Sequence, residues 1–362
     1  MFKQGLAVVI KEINMNNRTL SSYNIPVIDA HLDLAMDVCQ KRQDGRKGVI
    51  VSDYLESFRR GNVKSVISAI FAEGTMPETA LRQGMRQVAA IYAEVEESPD
   101  ILAVCRSAEE VLKAERDGKI AILLSFEGAE PLGQDADILR LFYALGVRFL
   151  GLCWSRRNYA ADGANYSENI KSTGSGLTEF GQQLVWEAER LGMLIDVSHL
   201  NDAGFNDLLK ISKRPFIASH SNCRAINGTK RNLSDGQIRA IADRGGVIGI
   251  NACSILVSDC EDTATVERLA DHVDHMVRLA GIEHISLGFD FFEHMVPPGT
   301  CLEVNGKSVR VFDVIKRHSD IDALTDTLLH RGYHEEEIGL IYADNMRRVL
   351  RALGGGGQDG RS

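Results

Sequence analysis

The sequence predicts an α/β protein, a single (β/α)8 barrel with helices after its last strand, and three observations carry that prediction. Short β-branched runs alternate with longer helical patterns along almost the whole chain, as expected of repeated βα units around a parallel sheet. Eight such runs are present, which is the number that closes a barrel. No G-x-G-x-x-G follows the first of them, so the main sequence argument for an open dinucleotide-binding sheet is missing.

In chain order the runs are VIDAH (27–31), VKSVISAIFA (63–72), IAILLSFEG (120–128), VRFLGLCW (147–154), MLIDVSHL (193–200), PFIASHS (215–221), GVIGINAC (246–253) and HISLGFDF (284–291). Helical patterns fill the gaps at 77–97, 135–146, 177–192 and 263–281, several ending in the glycine expected just past a helix C-terminus. The stretch 101–119 adds a short strand and a helix opened by the Ser107/Glu110 capping pattern. The barrel then occupies 25–353, after an N-terminal extension at 1–24 and before a glycine-rich flexible tail at 354–362.

Composition sets the chemistry the surface can support. Apolar residues at 44% and charged residues at 25% fit a soluble chain of 362 residues with a sizeable core. A formal charge of -9 without a basic run argues against a nucleic-acid surface and favours small-molecule chemistry. The seven cysteines are odd in number and form no C-x-x-C pair, so neither a disulfide framework nor a thiolate zinc site is expected. The apolar stretch GLAVVI near the N-terminus is too short for a signal peptide or a membrane span, which predicts a cytoplasmic protein without a membrane partner. The residues do not fix the oligomeric state, and a homodimer is one state open to the chain.

In a (β/α)8 barrel the chemistry sits where the strands end. The polar residues at those ends are His31 and Asp33, Glu127, His199, His220 and Asp290. Six metal-competent side chains from five strands would converge on one rim, and that convergence predicts metal binding. Residues two apart on an extended chain face the same way, so His31 and Asp33 are expected to grip one ion. His272 and His275 lie three apart on a helical pattern and are read as part of a solvated face. His294 follows Asp290 in a loop, and His284, His318, His330 and His334 belong to no constellation.

These residues resemble the membrane dipeptidases, renal dipeptidase-like peptidases among the metal-dependent amidohydrolase barrels. The likeness runs from about Val27 to Leu350 through DAHLDL, SFEGAEPLG, DVSHLND, ASHSNCRAI, KRNLSD, GFDF and the closing RGYHEEEIGLIYADNMRRVL, in order. It implies two zinc ions, one on His31 and Asp33 and the other on His199 and His220, with Glu127 bridging both. It further implies a metal-bridging hydroxide as the attacking group and Asp290 as the proton carrier to the leaving amine. Arg231 matches the arginine that grips a dipeptide's free carboxylate, with Asn232 beside it. His/carboxylate cages also accept Mn, Co or Fe.

Three departures fall on the substrate wall. Trp154 stands where better-known members carry a histidine, Asp290-Phe291-Phe292-Glu293 replaces D-F-D-G, and NACSIL lacks the usual tyrosine. A zinc dipeptidase is the leading reading. The alternatives are a related amidohydrolase acting on another amide, such as an N-acyl or D-amino-acid derivative, or a deaminase, and a metal-retaining barrel with a specialised non-peptidase role.

Overall fold

A computed structural model of the chain describes residues 25–74, 76–165, 173–304 and 307–354. The predicted N-terminal extension and all but the first residue of the predicted tail lie outside these residues. Eleven strands are present among them: β1 Val27–Leu32, β2 Val63–Ile70, β3 Leu102–Val104, β4 Ile120–Glu127, β5 Val147–Gly151, β6 Leu194–Asp196, β7 Phe216–Ile217, β8 Ile248–Ile250, β9 Ile285–Leu287, β10 Cys301–Val304 and β11 Lys307–Arg310.

Eight of these strands run parallel in the order β7-β6-β5-β4-β2-β1-β9-β8. The ring is drawn shut between β7 and β8, where Ala218 N–H donates to Val247 O at 3.0 Å and Gly249 N–H to Ala218 O at 2.8 Å. The (β/α)8 barrel predicted from the alternating runs is therefore the fold. β3 pairs only with the first residues of β4, and β5 takes over that same edge of β4 from Leu124 onward.

Alternation along each strand divides the apolar residues into two layers. Val66, Ile122, Leu124, Ile195 and Ile248 join the helices in the main core. Ile67, Ala121, Leu123, Leu194 and Ile217 form a second cluster with Met346, Val349 and Leu350 of the C-terminal helix Asn345–Leu350. That helix caps the end where strands begin: Arg348 donates to the carbonyls of Gly245 and Glu283, just ahead of β8 and β9, at 2.7 and 2.8 Å. The opposite rim is left for the loops that follow the strands.

The helix at Pro77–Glu97 matches its predicted span, and the Ser107 side chain caps Ala108–Arg116 as expected. The antiparallel hairpin β10–β11 was not predicted. The barrel strands are also shorter than the runs that announced them. β6 stops at Asp196 because its carboxylate accepts the N–H groups of Ser198 and Ser219, each at 2.9 Å, turning the chain out of the sheet. No helix among the described residues is long and apolar enough to cross a membrane.

Candidate active site

Each of the six rim residues is carried by a different local device. His31 lies in β1, and Asp33 sits at the start of helix Leu34–Gln43 rather than on the extended strand. Their ligating atoms still approach to 3.8 Å, although through a strand-to-helix turn and not through the shared strand direction expected. Ala121, Leu123, Ser125 and Glu127 share one face of β4, so Glu127 continues the lining of the barrel into its mouth. The next residue must be glycine: Gly128 has φ +100°, and a Cβ there would meet the Glu130 carboxylate and approach Trp154 N to 3.3 Å.

His199, His220 and Asp290 all stand beyond the ends of β6, β7 and β9, not within the strands as the runs suggested. His199 and Asp290 have φ of +68° and +57°. Such backbone costs of order 1 kcal/mol for a non-glycine residue and is held by its surroundings. Here it turns both side chains back over the barrel mouth.

The six side chains meet around Glu127. Its Oε1 lies 2.9 Å from His199 Nε2, 3.7 Å from His220 Nε2 and 3.8 Å from His31 Nε2. His199 Nε2 is 2.9 Å from His220 Nε2, and His31 Nε2 is 3.7 Å from Asp290 Oδ1. Three groups of possible ligands overlap here: His31, Asp33 and Glu127; Glu127, His199 and His220; and His31, His220 and Asp290. Glu127 alone is shared by the first two, the division that the family resemblance implied.

Surrounding hydrogen bonds orient these side chains. Ser219 Oγ donates to Asp196 and lies 2.7 Å from His220 Nδ1. Ser155 Oγ stands 2.8 Å from His199 Nδ1. The Asp29 carboxylate accepts the His31 and Phe289 N–H groups at 3.2 and 3.1 Å and pairs with His318 Nε2 at 2.8 Å, joining the first and last barrel strands. Asn251 Nδ2 donates to Asp290 Oδ2 at 3.0 Å.

Burial sets the protonation states. It pushes the Glu127 carboxyl well above the usual carboxylate range, helped by Asp33. It pushes Asp290 up to about 6, against the opposing pull of His31. Burial, Arg231 and His31 hold His199 and His220 far below an ordinary histidine, so both imidazoles are neutral. Burial also opposes charge on His31, but Glu127, Asp33 and Asp290 outweigh it and lift His31 to about 10.

These residues fit a metal. Both ring nitrogens of His31 and Oδ1 of Asp33 are buried without a hydrogen-bond partner among the described residues, an arrangement a folded protein rarely leaves unused. The donor set of imidazole nitrogens and carboxylate oxygens is that of zinc and its neighbours.

The rim opens into a cavity of about 210 Å³. Asp33, Glu127, His199, Arg231 and Asp290 contribute its polar groups, with Trp154, Phe71, Ile255, Leu256 and Phe292 among the apolar ones. Arg231 is buried and donates to His199 Nδ1, Ser221 Oγ and His220 O at 3.1, 2.8 and 2.9 Å. These bonds use three of the five N–H groups of a guanidinium. Trp154 faces His199 and Phe71 at centroid distances of 5.7 and 5.6 Å, with the Arg156 guanidinium 5.3 Å from its ring. Asn232 does not line the cavity. Its amide donates to Asn227 O and Leu256 O and accepts from Asn222 N–H, so it staples the Arg231 loop instead of meeting a substrate. A larger cavity of about 530 Å³ beside Tyr54, His294 and His318 is lined by none of the six rim side chains.

The other histidines are structural. His272 is buried, accepting Cys223 N–H at 3.0 Å and meeting Val257 O at 2.9 Å, so the solvated face expected for it is wrong. His275 pairs with Asp235. His294 turns to Tyr54 at 3.0 Å, and His318 is a buried partner of Asp29. Asn251 was missed although it is a polar residue at a strand end, the same signal that marked the ligands. The hairpin had a signal too: apolar residues alternate on either side of an Asn-Gly pair at 305–306.

A parallel barrel with histidines and carboxylates gathered at its C-terminal rim defines a metal-dependent hydrolase. The model for membrane dipeptidases, peptidase family M19, matches residues 18–355, and the chain belongs to that family. Dipeptidase tcpJ of Claviceps purpurea is 31% identical over 323 residues, covering 89% of this chain and 70% of its own. Dipeptidase 3 of Macaca fascicularis is 28% identical over 342 residues, covering 91% of this chain and 65% of its own; the chain thus spans about two thirds of these relatives' length. A metallopeptidase from Rhodobacter sphaeroides, solved with a phosphinate mimic of the dipeptide L-Ala-D-Ala, superposes with a TM-score of 0.78 at 25% identity over 91% of this chain and 99% of that one.

Proposed function

We propose that this protein hydrolyses the peptide bond of free dipeptides with two divalent cations, zinc by preference, held by His31 and Asp33 on one side, His199 and His220 on the other, and Glu127 between them. The observation that carries the reading is the sharing of Glu127 by two overlapping ligand groups. When bound, such a pair supplies the Lewis acidity that activates water for attack and polarises the scissile carbonyl.

The chain's own residues do the rest. Asp290, aimed by Asn251, carries a proton to the leaving amine. Arg231, with N–H groups beyond those it gives the protein, receives the substrate's terminal carboxylate. Trp154 forms an apolar wall of the cavity at the position where the family resemblance expects an imidazole. The phosphinate dipeptide mimic in the Rhodobacter relative supports the same substrate size and a D residue at the second position.

The test is a metal analysis joined to a dipeptide panel with L-L and L-D pairs and their amidated or acetylated forms. Two equivalents of metal and cleavage confined to dipeptides with a free carboxylate are expected. Cleavage of other amides alone would overturn the reading.

A further inference from the structure

The hairpin β10–β11 stands over the cavity rather than on the barrel. Its burial follows the apolar residues: Leu302, Val304 and Val309 are half-buried and Val311 is buried, while Cys301, Glu303, Lys307, Ser308 and Arg310 are exposed. Leu302 pairs across the strands with Val309, so the apolar side chains share one face. That face packs with Cys253, Ile255, Leu256 and Phe292 in an apolar cluster separate from both barrel layers. An isolated two-stranded hairpin is marginal in water, and this packing is what holds it.

The hairpin is also fastened at its base. Val311 N–H donates to Thr300 O at 3.0 Å, and the Asp313 carboxylate accepts the N–H groups of Phe292 and Glu293 at 3.0 and 2.9 Å, tying it to the loop of Asp290. On the other side Ile255 O and Leu256 O accept from Asn227 and Asn232 of the Arg231 loop, at 2.8 and 2.9 Å. Leu302, Val311, Ile255 and Leu256 all line the cavity that holds Arg231 and Asp290. Arg310 pairs with Glu261 on the outer face, and Lys307, which stands across from Val304, is exposed to solvent.

We propose that this hairpin is the specificity element: its underside and the Ile255–Leu256 turn form a subsite for a bulky apolar side chain on the residue whose carboxylate Arg231 holds. The proposal rests on the dipeptidase reading and names the class within it, dipeptides with an apolar C-terminal residue. The apolar roof lies on the Arg231 side because its turn is stapled to the Arg231 loop. A charged side chain there would be desolvated without a partner.

The experiment measures kcat/KM of the metal-loaded full chain on Gly-Ala, Gly-Leu, Gly-Phe, Gly-Asp and Gly-Lys and on the reversed Leu-Gly and Phe-Gly. Gly-Leu and Gly-Phe should exceed Gly-Ala by at least about tenfold and Gly-Asp by on the order of 10²-fold. Leu302→Asp, with metal content and Tm measured alongside, should lower the Gly-Leu to Gly-Lys ratio by about tenfold or more. Hydrolysis of the whole panel at equal kcat/KM, or a preference carried by Leu-Gly and Phe-Gly instead, overturns the subsite while leaving the dipeptidase reading intact. Hydrolysis of no dipeptide overturns both. If Leu302→Asp does not fold, the wild-type panel alone decides.

Discussion

Replacing Glu127 by glutamine removes one negative charge and almost no volume, which makes it a sharp probe of the rim. Glu127 Oε1 stands 2.9 to 3.8 Å from three imidazole nitrogens. A unit positive charge about 4 Å away attracts a carboxylate by about 4 kcal/mol at the effective dielectric of about 20 that suits protein sites. The amide oxygen keeps part of that attraction as a dipole, so about 2 kcal/mol per cation is a conservative loss. At 1.4 kcal/mol per factor of ten this weakens each position roughly 30-fold. Equilibrium dialysis against buffered zinc, followed by metal analysis, reads the effect directly. Glu127→Gln should empty both positions together, whereas Asp33→Asn should empty one and spare the other. Two equivalents bound to Glu127→Gln with wild-type affinity would refute the shared ligand and the reasoning built on it.

Arg231→Met should cost about 2–4 kcal/mol in kcat/KM on free dipeptides, with little further loss on amidated ones; an equal effect on both would make Arg231 purely structural. Trp154→His should raise kcat on small dipeptides by up to about 10²-fold and weaken binding of bulky apolar ones, whereas Trp154→Phe should change kcat little at constant metal content. Gly288→Ala would drive a Cβ to 1.7 Å from Ser219 O, beside His220; a fall of about 1–3 kcal/mol in stability and weaker metal binding are expected by calorimetry and dialysis. In metal-stripped protein Asp290, raised by burial from 3.8 to about 6, gives stability that is full below its unfolded value and lost as pH rises through 6. The Tm of wild type relative to Asp290→Asn should therefore fall between about pH 4 and pH 7, and a rise would contradict the burial argument.

The barrel was legible because its strands are covered on both faces and therefore read as unbroken β-branched runs such as IAILL and VRFLG. The candidate rim residues stood out because six metal-competent side chains end such runs together. What escaped was set by contacts distant in sequence. The end of β6 depends on Ser219 reaching back to Asp196 across 23 residues, and no local pattern announces that. Asp33 came to its place through a helix start rather than through strand geometry. His272 was misjudged because its charged neighbours Asp271 and Asp274 outweighed a clear period: Leu269, Val273 and Met276 are all buried on the same helix. Asn232, adjacent to Arg231, holds the Arg231 loop through an amide engaged with backbone on three sides.

The bond between Asp29 and its partners on the far side of the ring has a consequence for how the protein is made. The Asp29 carboxylate needs Phe289 and His318, so β1 keeps an open edge on one side until nearly the whole chain has left the ribosome. At about 5–20 residues per second that wait lasts on the order of tens of seconds, and throughout it the unpaired β1 edge is an aggregation hazard. Closure then brings Asp290 against His31 and His220 as the ring shuts, so a cation present at that moment would bias the nascent chain toward the native ring. Expression in metal-depleted cells should consequently lower the soluble yield more than stripping the finished protein lowers its Tm.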